Sequence, residues 1–470
     1  MADGAPNLAG MSTSAAPTAG TPGGQESTAP AGNPRGRVVV ASLIGTSIEF
    51  YDFYIYATAA SLVFPALFFP NAEDPTTQLL SSFAVFGVAF VARPVGSVLF
   101  GHFGDRIGRK ATLVASLLTM GIATVLIGLI PAASTPGWAL AAPAVLVLCR
   151  FCQGLGLGGE WSGAALLATE NAPEGKRAIY GTFPQLGAPI GFILANTVFI
   201  ALSTSLTPEQ FAAWGWRIPF IASAVLVIVG LWVRLSLLET PAFRKVLAAE
   251  AVSKVPVARV FRTSWRQIVS GTFIMLATYV LFYLMTTFTL NYGVAAAEPT
   301  DGSPAGLGYE KIDFLWMLIV GVVFFGIFTL VSGPMAEKFG RRKHLIWVTV
   351  AIIVFGALFV PLFAAGDVGV QTLLIIGFTL MGLTFGPMAA VLPELFPANV
   401  RYTGSGIAYN LSSVLGAAVA PFIAVWLWAK GDGSPVLVGV YLSAMAVITL
   451  VALLLERETR DVDYADNVGD

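Results

Sequence analysis

Apolar runs of 18 residues or more recur along almost the whole of this sequence. Each run is long enough to cross about 30 Å of hydrocarbon as an α-helix. Only 11% of the residues are charged and 56% are hydrophobic, whereas a soluble protein carries about 25% charged residues. A chain with so little charge needs a non-aqueous solvent for most of its surface. The sequence therefore predicts an all-α polytopic membrane protein.

Twelve spans are predicted, six in each half of the chain. Residues 1–34 contain almost no large apolar side chain and predict a disordered tail, in which Met11 is an alternative start. A basic linker at the membrane surface is predicted at 239–267, between six-helix halves at 35–238 and 268–457, and a C-terminal tail at 458–470. The predicted spans are 38–69, 78–103, 111–131, 140–169, 178–203, 216–238, 268–293, 312–336, 344–365, 369–393, 402–428 and 435–455.

The placement of Lys and Arg predicts the orientation of the chain. With the N-terminus in the cytoplasm, Arg217, Lys311 and Lys430 are the loop cations near the opposite side, and the remaining loop cations face inward. This asymmetry follows the positive-inside rule. An even number of spans then puts both termini in the cytoplasm.

Two charged signatures recur half a chain apart. Gly101–Lys110 and Gly333–Arg342 share the order glycine, three residues, acid, base, one residue, glycine, base, base. The pattern Glu-x-x-Pro-x-x-x-Arg occurs at 170–177, after the fourth span, and at 394–401, after the tenth. Two signatures in register predict two six-helix halves related by an axis along the membrane normal.

These signatures carry a family resemblance that covers about residues 37–457. The stretch 101–110 resembles the signature between the second and third helices of the major facilitator superfamily, and 333–342 resembles its second-half copy. Four further stretches resemble the metabolite:proton symporter family, which includes shikimate, α-ketoglutarate, citrate and proline/betaine carriers. These stretches are 48–53, 92–96, 150–161 and 214–220. The resemblance implies the major facilitator fold and proton symport. The chain ends soon after Arg460 without the coiled-coil tail of the osmosensing proline/betaine carriers, which disfavours that subtype.

Two carboxylates lie deep in the first span. Glu49 is roughly 18 Å along the helix axis from the start of the span, and Asp52 and Tyr56 share its face. A carboxylate at such depth costs roughly 2.5–3.5 kcal/mol on insertion scales, and intramembrane acids mark functional sites by default. We therefore expect Glu49 and Asp52 to couple transport to protons, with a fixed salt bridge between helices as the alternative.

Two buried arginines are candidate partners of these acids. In sugar-transporting relatives of the superfamily, an acid at the position resembling Asp52 pairs with an arginine at the position resembling Arg150. The resemblance thus implies that proton binding to Asp52 releases Arg150, and Gln153, one turn below, is a candidate substrate ligand. Arg93 is either a counter-charge for an anionic substrate or a partner for Glu160 or another acid. Glu160 either serves the proton path or satisfies an arginine.

The second half carries no obvious charge deep in a span. Its polar candidates, together with Tyr56 of the first half, are expected to bind a small polar solute if they face the pore, and ordinary packing between helices is the alternative for each. These candidates are Tyr279, Tyr283, Tyr409 and Asn410.

The charged signatures predict a cytoplasmic gate. Asp105 is placed to accept hydrogen bonds from a helix N-terminus or to pair with an arginine. Ion pairs among Arg106, Arg109, Glu170 and Arg177 are expected to stabilise the outward-open state, besides fixing the topology. With the second-half copies, the predicted gate residues are Gly101, Asp105, Arg106, Arg109, Glu170, Arg177, Glu337, Arg341, Glu394 and Arg401.

These observations predict a secondary transporter that imports a small organic anion by proton symport. A proton-coupled exporter is an alternative, because Gly187–Gly191 loosely resembles a motif of drug antiporters, and a betaine/proline carrier is another. Cys149 and Cys152 lie in an apolar helix and are expected to be packing residues. The sequence lacks a histidine cluster, metal-ligand spacing, nucleotide loop or nucleophile–base pair, so we expect no enzyme activity, cofactor, metal or nucleic-acid partner. A monomer in the bacterial inner membrane is predicted.

Overall fold

The computed structural model describes residues 35–71, 75–236, 256–298 and 304–462. The predicted tail at 1–34, residues 239–255 of the predicted linker and residues 463–470 lie outside the described residues. Twelve long helices follow one another in the order of the twelve predicted spans. They are α1 Arg35–Leu62, α2 Pro75–Ile107, α3 Arg109–Leu129, α4 Ala141–Glu170, α5 Arg177–Ser205, α6 Arg217–Leu235, α7 Trp265–Val294, α8 Lys311–Phe339, α9 Arg341–Ala357, α10 Gly366–Glu394, α11 Arg401–Lys430 and α12 Val436–Leu455.

Among the described helices, ten are long and apolar enough to cross a membrane, and these are all except α1 and α9. Helix α9 contains 17 residues and is followed after Leu358 by the short helix Phe359–Phe363. Helix α1 contains 28 residues but carries Glu49 and Asp52. Both pack in the same bundle as the other ten. The arrangement is therefore consistent with the predicted twelve spans.

The bundle exposes apolar side chains and buries polar ones, the reverse of a soluble protein. Helix α6 shows this most simply, because its exposed apolar residues recur every three or four positions while Ser223 and Arg234 are buried on the other side. A stripe of this spacing is one face of a helix. In a membrane that face meets lipid. The exposed stripe of α6 is Ile221, Val225, Ile228 and Trp232.

The same helix pairings occur twice along the chain. In the first half, which we define as α1–α6, α1 packs on α5, α2 on α4 and α3 on α6. In the second half, α7–α12, the corresponding pairs are α7 with α11, α8 with α10 and α9 with α12. The halves meet through α2 against α11 and through α8 against α5. The predicted architecture of two similar six-helix halves is confirmed.

Several of the long helices are irregular. A π-helical turn interrupts α7 at Leu284–Phe288 and α11 at Val414–Ala418. Helix α5 is interrupted at Leu186, and α2 contains Pro94, which cannot donate a backbone hydrogen bond. Such turns are frequent at functional sites, because they change the direction in which neighbouring side chains point.

One glycine connects the second helix to the third in each half. Gly108 joins α2 to α3 with φ of 109°, and Gly340 joins α8 to α9 with φ of 93°. Both glycines belong to the repeated signature. An L-residue at such a φ places its Cβ against the neighbouring backbone, and glycine has no Cβ. The second glycine of each signature is thus required, because it forms the whole turn between the two helices.

Replacing Gly108 by alanine is expected to destabilise the protein by roughly 1–2 kcal/mol, the cost of a left-handed conformation for a residue with a Cβ. The thermal unfolding midpoint in detergent, followed by size-exclusion chromatography of heated samples, measures this loss. Gly87→Ala is the matched control, since Gly87 lies inside α2 with nothing within 4 Å of an added Cβ. Equal midpoints for Gly108→Ala and Gly87→Ala would contradict this account of the turn.

Candidate substrate cavity and gate

A small cavity lies where α1, α2 and α5 of the first half face α7, α10 and α11 of the second. Seven of its twelve lining residues are phenylalanines or tyrosines, and Glu49 and Arg93 are its charged residues. Apolar walls with a few polar groups are typical of small-molecule sites. The lining residues are Glu49, Phe50, Phe53, Arg93, Ala188, Met275, Tyr279, Phe282, Tyr283, Met381, Phe385 and Tyr409.

The two charged residues of the cavity are buried without being neutralised. Glu49 is 4% exposed and Arg93 is 6% exposed. Within the described residues, Glu49 Oε2 and Arg93 Nε have no hydrogen-bond partner, and neither side chain forms a salt bridge. A buried charge normally requires a partner. Both groups are therefore available to a bound solute.

Aromatic rings hold the Arg93 guanidinium in place. Its central carbon lies 5.2 Å from the centroid of the Phe53 ring and 5.0 Å from that of Phe90. These cation–π contacts stabilise the charge and leave its hydrogen-bonding groups available. Glu160, the partner considered for Arg93 from the sequence, instead pairs with Arg234 of α6 and accepts a hydrogen bond from Ser116 at 3.0 Å. The structure thus shows Glu160 paired with an arginine, which is one of the two interpretations from the sequence.

Asp52 and Arg150 are joined indirectly. The Asp52 carboxylate accepts hydrogen bonds from Ser223 and, at 2.9 Å, from Thr124. Thr124 Oγ1 in turn accepts a bond from Gln153 Nε2 at 2.7 Å, and Gln153 Oε1 accepts one from Arg150 Nη1 at 3.0 Å. Two side chains thus stand between the acid and the arginine that the resemblance placed together.

Aromatic rings also surround Arg150. Its guanidinium carbon lies 4.0 Å from the centroid of the Tyr56 ring and 4.9 Å from that of Phe86. Its Nε and Nη2 are buried and have no hydrogen-bond partner among the described residues. Arg150 is therefore held by ring faces and one amide, which leaves donors free for a rearrangement.

The predicted substrate ligands divide into two groups. Tyr279 and Tyr283 line the cavity, together with Tyr409, whereas Tyr56 and Gln153 lie in the Arg150 network. Asn410 does not line the cavity: its Nδ2 donates to the carbonyl of Gly158 in the other half at 3.1 Å. Tyr409 and Asn410 are adjacent on α11, so only one of them points into the cavity.

Contacts of Trp161 and Gln185, which are not site predictions of the sequence, join the halves next to the cavity. The rings of Trp161 and Tyr409 stack with centroids 3.8 Å apart. Trp161 Nε1 donates to Gln185 Oε1 at 2.9 Å, and Gln185 Nε2 donates to the carbonyl of Phe385 at 2.7 Å. A lone amide beside a proline in an apolar span was the available signal for Gln185.

At one end of the bundle, which we call the gate end, the acid of each glycine signature binds the N-terminus of a helix in the other half. Asp105 accepts hydrogen bonds from Thr403 N at 2.9 Å and Thr403 Oγ1 at 2.7 Å, at the start of α11. Glu337 accepts one from Ala178 N at 2.7 Å, at the start of α5. A carboxylate here satisfies helix donors that have no partner within the helix and interacts favourably with the helix dipole.

The second repeated pattern forms ion pairs across the same interface. Arg177 of the first half lies 3.3 Å from Glu394 of the second, and Arg401 of the second lies 3.8 Å from Glu170 of the first. Each pair joins the arginine of one copy to the acid of the other. Both acids have fully buried side chains, so separating the halves removes a partner from each buried charge, which is costly.

Glu394 is also bound from within the second half. Arg341 Nη2 lies 3.3 Å from it, and the Thr459 hydroxyl donates to it at 2.6 Å. Arg341 pairs with Glu337 at 2.8 Å, and Glu458 accepts a bond from Arg341 N at 2.8 Å. The segment that follows α12, predicted as a tail from residue 458, thus contributes Glu458 and Thr459 to the gate end.

Two predicted gate arginines, Arg106 and Arg109, are not among the described ion pairs between the halves. Arg106 is exposed, and its guanidinium contacts His102 on its own helix at 3.3 Å. The Arg109 side chain lies outside the described residues. Glu170 and Arg177, predicted to pair within the first half, have partners in the second half. Sequence position alone does not show which half supplies a partner.

The first glycine of each signature allows the halves to approach closely. A Cβ on Gly101 would lie 2.8 Å from Thr403 Cα, and a Cβ on Gly333 would lie 2.9 Å from Ile179 Cα. Real Cβ atoms are not found so close to backbone atoms, so a larger residue would push the halves apart. The close approach places each signature acid within reach of the opposite helix.

Comparisons with known proteins agree with this architecture. Residues 38–464 match the family described as sugar (and other) transporters. The inner membrane metabolite transport protein YhjE of Escherichia coli strain K12 is 58% identical over 91% of this chain and 95% of its own length. The chain belongs to this transporter family.

Other members of the family are similar over nearly the whole chain. The shikimate transporter of E. coli K12 is 35% identical, covering 90% of this chain and 95% of its own length. The proline/betaine transporter of Salmonella typhimurium LT2 is 32% identical, covering 90% and 83%. A solved structure of the major facilitator proton:xylose symporter XylE, with bound 6-bromo-6-deoxy-D-glucose, aligns with a TM-score of 0.75 at 17% identity, covering 92% of this chain and 98% of that one.

These matches confirm the family predicted from the charged signatures. The chain has the major facilitator fold, and its relatives are metabolite transporters. It is a transporter and not an enzyme.

Removing the Asp105 carboxylate is expected to weaken the gate end. In Asp105→Ala, the donors at the start of α11 lose their acceptor, and losing such a cap costs about 1–2 kcal/mol. A lowered thermal unfolding midpoint in detergent measures the effect. Arg106→Ala is the adjacent control, because an exposed side chain without a cross-half contact contributes within about 0.5 kcal/mol. Equal losses for the two variants would contradict the capping role.

Proposed function

We propose that this transporter imports a small organic anion together with protons across the bacterial inner membrane, by alternating access of the cavity to the two sides. One observation carries the proposal: Glu49 and Arg93 line a mostly aromatic cavity between the halves and form no salt bridge with any described residue. The relative YhjE is named an inner membrane protein, which supports the location.

Arg93 suits the carboxylate of the solute. A guanidinium offers two parallel N–H donors to a carboxylate, which binds more strongly than a single neutral hydrogen bond. The rings of Phe53, Phe282 and Tyr283 offer apolar contact to the remainder of a small organic molecule. Shikimate, proline and betaine, the solutes named for two relatives, all carry a carboxylate.

Glu49 suits the coupled proton. When Arg93 is occupied by an anion, an ionised Glu49 leaves one uncompensated negative charge in a buried cavity, and such a charge is costly. A proton on Glu49 removes that charge. Anion and proton therefore favour each other's binding through charge balance alone, although they occupy different groups.

The Asp52 network provides a second proton site and a link to helix movement. Protonation of Asp52 weakens its hold on Thr124 and Ser223, and Thr124 is bonded through Gln153 to Arg150. These residues belong to α1, α3, α4 and α6, so the network spans four helices of the first half. We propose that Arg150 shifts when this network changes its protonation.

The gate end closes the cavity toward the cytoplasm in this proposal, as the distribution of Lys and Arg indicates. Opening that side separates Arg177 from Glu394 and Arg401 from Glu170, and removes the caps made by the signature acids. A few kcal/mol distributed over these contacts is enough to determine which of two states is populated. The chain then works as a monomer, with both gates contained in one bundle.

A zwitterionic osmolyte of the betaine or proline type is a second candidate. The observation in its favour is that the cavity offers both an unpaired cation and an unpaired anion, together with aromatic faces that bind quaternary ammonium groups. For the same number of protons, a betaine moves one more positive charge per solute molecule than a monocarboxylate does. Currents recorded from proteoliposomes on a solid support, together with the proton uptake per labelled solute, separate the two candidates.

Proteoliposomes with an inward proton gradient are expected to accumulate labelled solute. The solute is first selected by thermal shift from a panel of carboxylates, shikimate-like rings and betaines. Glu49→Gln and Asp52→Asn are each expected to abolish uphill uptake while counterflow continues, because exchange does not require proton release. Uptake that ignores the proton gradient in the unmodified protein would refute symport, and depletion of solute under the same gradient would indicate an antiporter.

Arg93→Lys is expected to raise the KM for a carboxylate solute about tenfold, since the ammonium keeps the charge but loses the two-donor fork. Initial uptake rates over a range of solute concentrations measure this. Arg106→Lys is the control, because Arg106 is exposed at the gate end and does not line the cavity. An unchanged KM in Arg93→Lys would argue against anion recognition by this residue.

A further inference from the structure

Two stacked aromatic rings lie across the interface between the halves, next to the cavity. Trp161 of α4 and Tyr409 of α11 have centroids 3.8 Å apart and planes 5° apart. Trp161 is 1% exposed, and Tyr409 is itself a lining residue of the cavity. The stack therefore has one ring in contact with the cavity and the other behind it.

A buried amide holds the indole in position and crosses the interface a second time. Gln185 is fully buried; it accepts the Trp161 indole N–H at 2.9 Å and donates to the carbonyl of Phe385 at 2.7 Å. Gln185 belongs to the first half, while Phe385 belongs to the second and lines the cavity. Two residues that line the cavity are thus tied to the same first-half pair, Tyr409 through its ring and Phe385 through its backbone carbonyl.

The stack lies between the cavity and the ion pairs of the gate end. Along α4, Trp161 precedes Glu170 by about two and a half turns, and along α11 Tyr409 follows Arg401 by about two turns. Other cross-half bonds lie at the same level: the Tyr402 hydroxyl donates to the carbonyl of Gly159, and Asn410 donates to that of Gly158. A solute that moves from the cavity to the gate end must pass this layer.

We propose that Trp161, Tyr409 and Gln185 form an inner barrier that closes the cavity toward the gate end and must separate before the gate can release solute. The barrier deepens the proposed function and rests on its alternating-access part, but not on the identity of the solute or on proton coupling. Because the Tyr409 ring contacts both the cavity and Trp161, solute that displaces this ring loosens the stack.

Thiol accessibility tests the barrier without a known solute. In a Cys149→Ser/Cys152→Ser background, Ala188→Cys places one thiol in the cavity wall, where Ala188 is 2% exposed. A charged, membrane-impermeant methanethiosulfonate is applied separately to sealed right-side-out vesicles and to sealed inside-out vesicles. Arg106→Cys in the same background marks the gate-end side, because residue 106 is exposed there.

Trp161→Ala is expected to raise the rate at which this cavity thiol is modified from the gate-end side about tenfold, because the aromatic stack across the interface is lost together with the indole–amide bond that positions Gln185. The rate from the opposite side should not rise. Trp428→Ala is the matched control: Trp428 is also buried and donates its indole N–H, but its acceptor is the carbonyl of Ala305 in the same half, at the other end of α11. It should not raise the gate-side rate.

Two milder variants keep the test valid if Trp161→Ala does not fold. Trp161→Phe keeps an aromatic ring and loses the N–H, and Gln185→Leu removes the amide bridge; each should raise the gate-side rate by a smaller factor. Combining them should add little to Gln185→Leu alone, since both break the same indole–amide bond. Wild-type rates in folded Trp161→Phe and Gln185→Leu would overturn the barrier. A raised rate in a protein that shows no proton-driven uptake would support the barrier and reject the proposed function.

Discussion

Buried charges in a low-dielectric bundle need partners, and the positions of those partners organise this structure. Glu160 and Arg234 neutralise each other inside the first half. Two ion pairs cross the interface, Arg177 with Glu394 and Arg401 with Glu170, so these contacts depend on the halves being together. The charges of the cavity have no partner among the described residues. Buried charges are thus found in three settings: paired within one half, paired between the halves, and lining the cavity.

The two halves share the gate but not the cavity chemistry. Both copies of the glycine signature cap a helix of the other half, and both copies of the second pattern pair across the interface. In contrast, both charged lining residues, Glu49 and Arg93, come from the first half, while the second half contributes tyrosines. The expectation of charged groups in the first half and neutral polar groups in the second is consistent with this distribution. The repeat is retained in the contacts of the gate end, and it is lost in the residues that line the cavity.

Much of this arrangement follows from local sequence patterns. The twelve helices, the repeat and the family could be predicted, because apolar length and charged signatures are local properties. Pairings across the interface could not, since Arg177 and Glu394 are distant in sequence and each has closer charged neighbours. Asn410 and Tyr409 are equally polar candidates in the sequence, and only the rotation of α11 selects Tyr409 for the cavity. Gln185 and Arg234 carried one weak signal each, a single polar residue in an apolar span.

The reciprocal caps of the gate end have a consequence for the origin of the chain. Asp105 of the first half binds the start of α11, and Glu337, the corresponding acid of the second half, binds the start of α5. Each half thus contributes the corresponding acid and the corresponding helix terminus to the interface. This is the contact pattern of an isologous interface, in which two identical subunits meet around a two-fold axis. A single six-helix ancestor with one acid and one helix terminus would have satisfied both caps by dimerising. Duplication and fusion then preserve a working interface from the start, and the solute-contacting residues of the two copies are free to diverge.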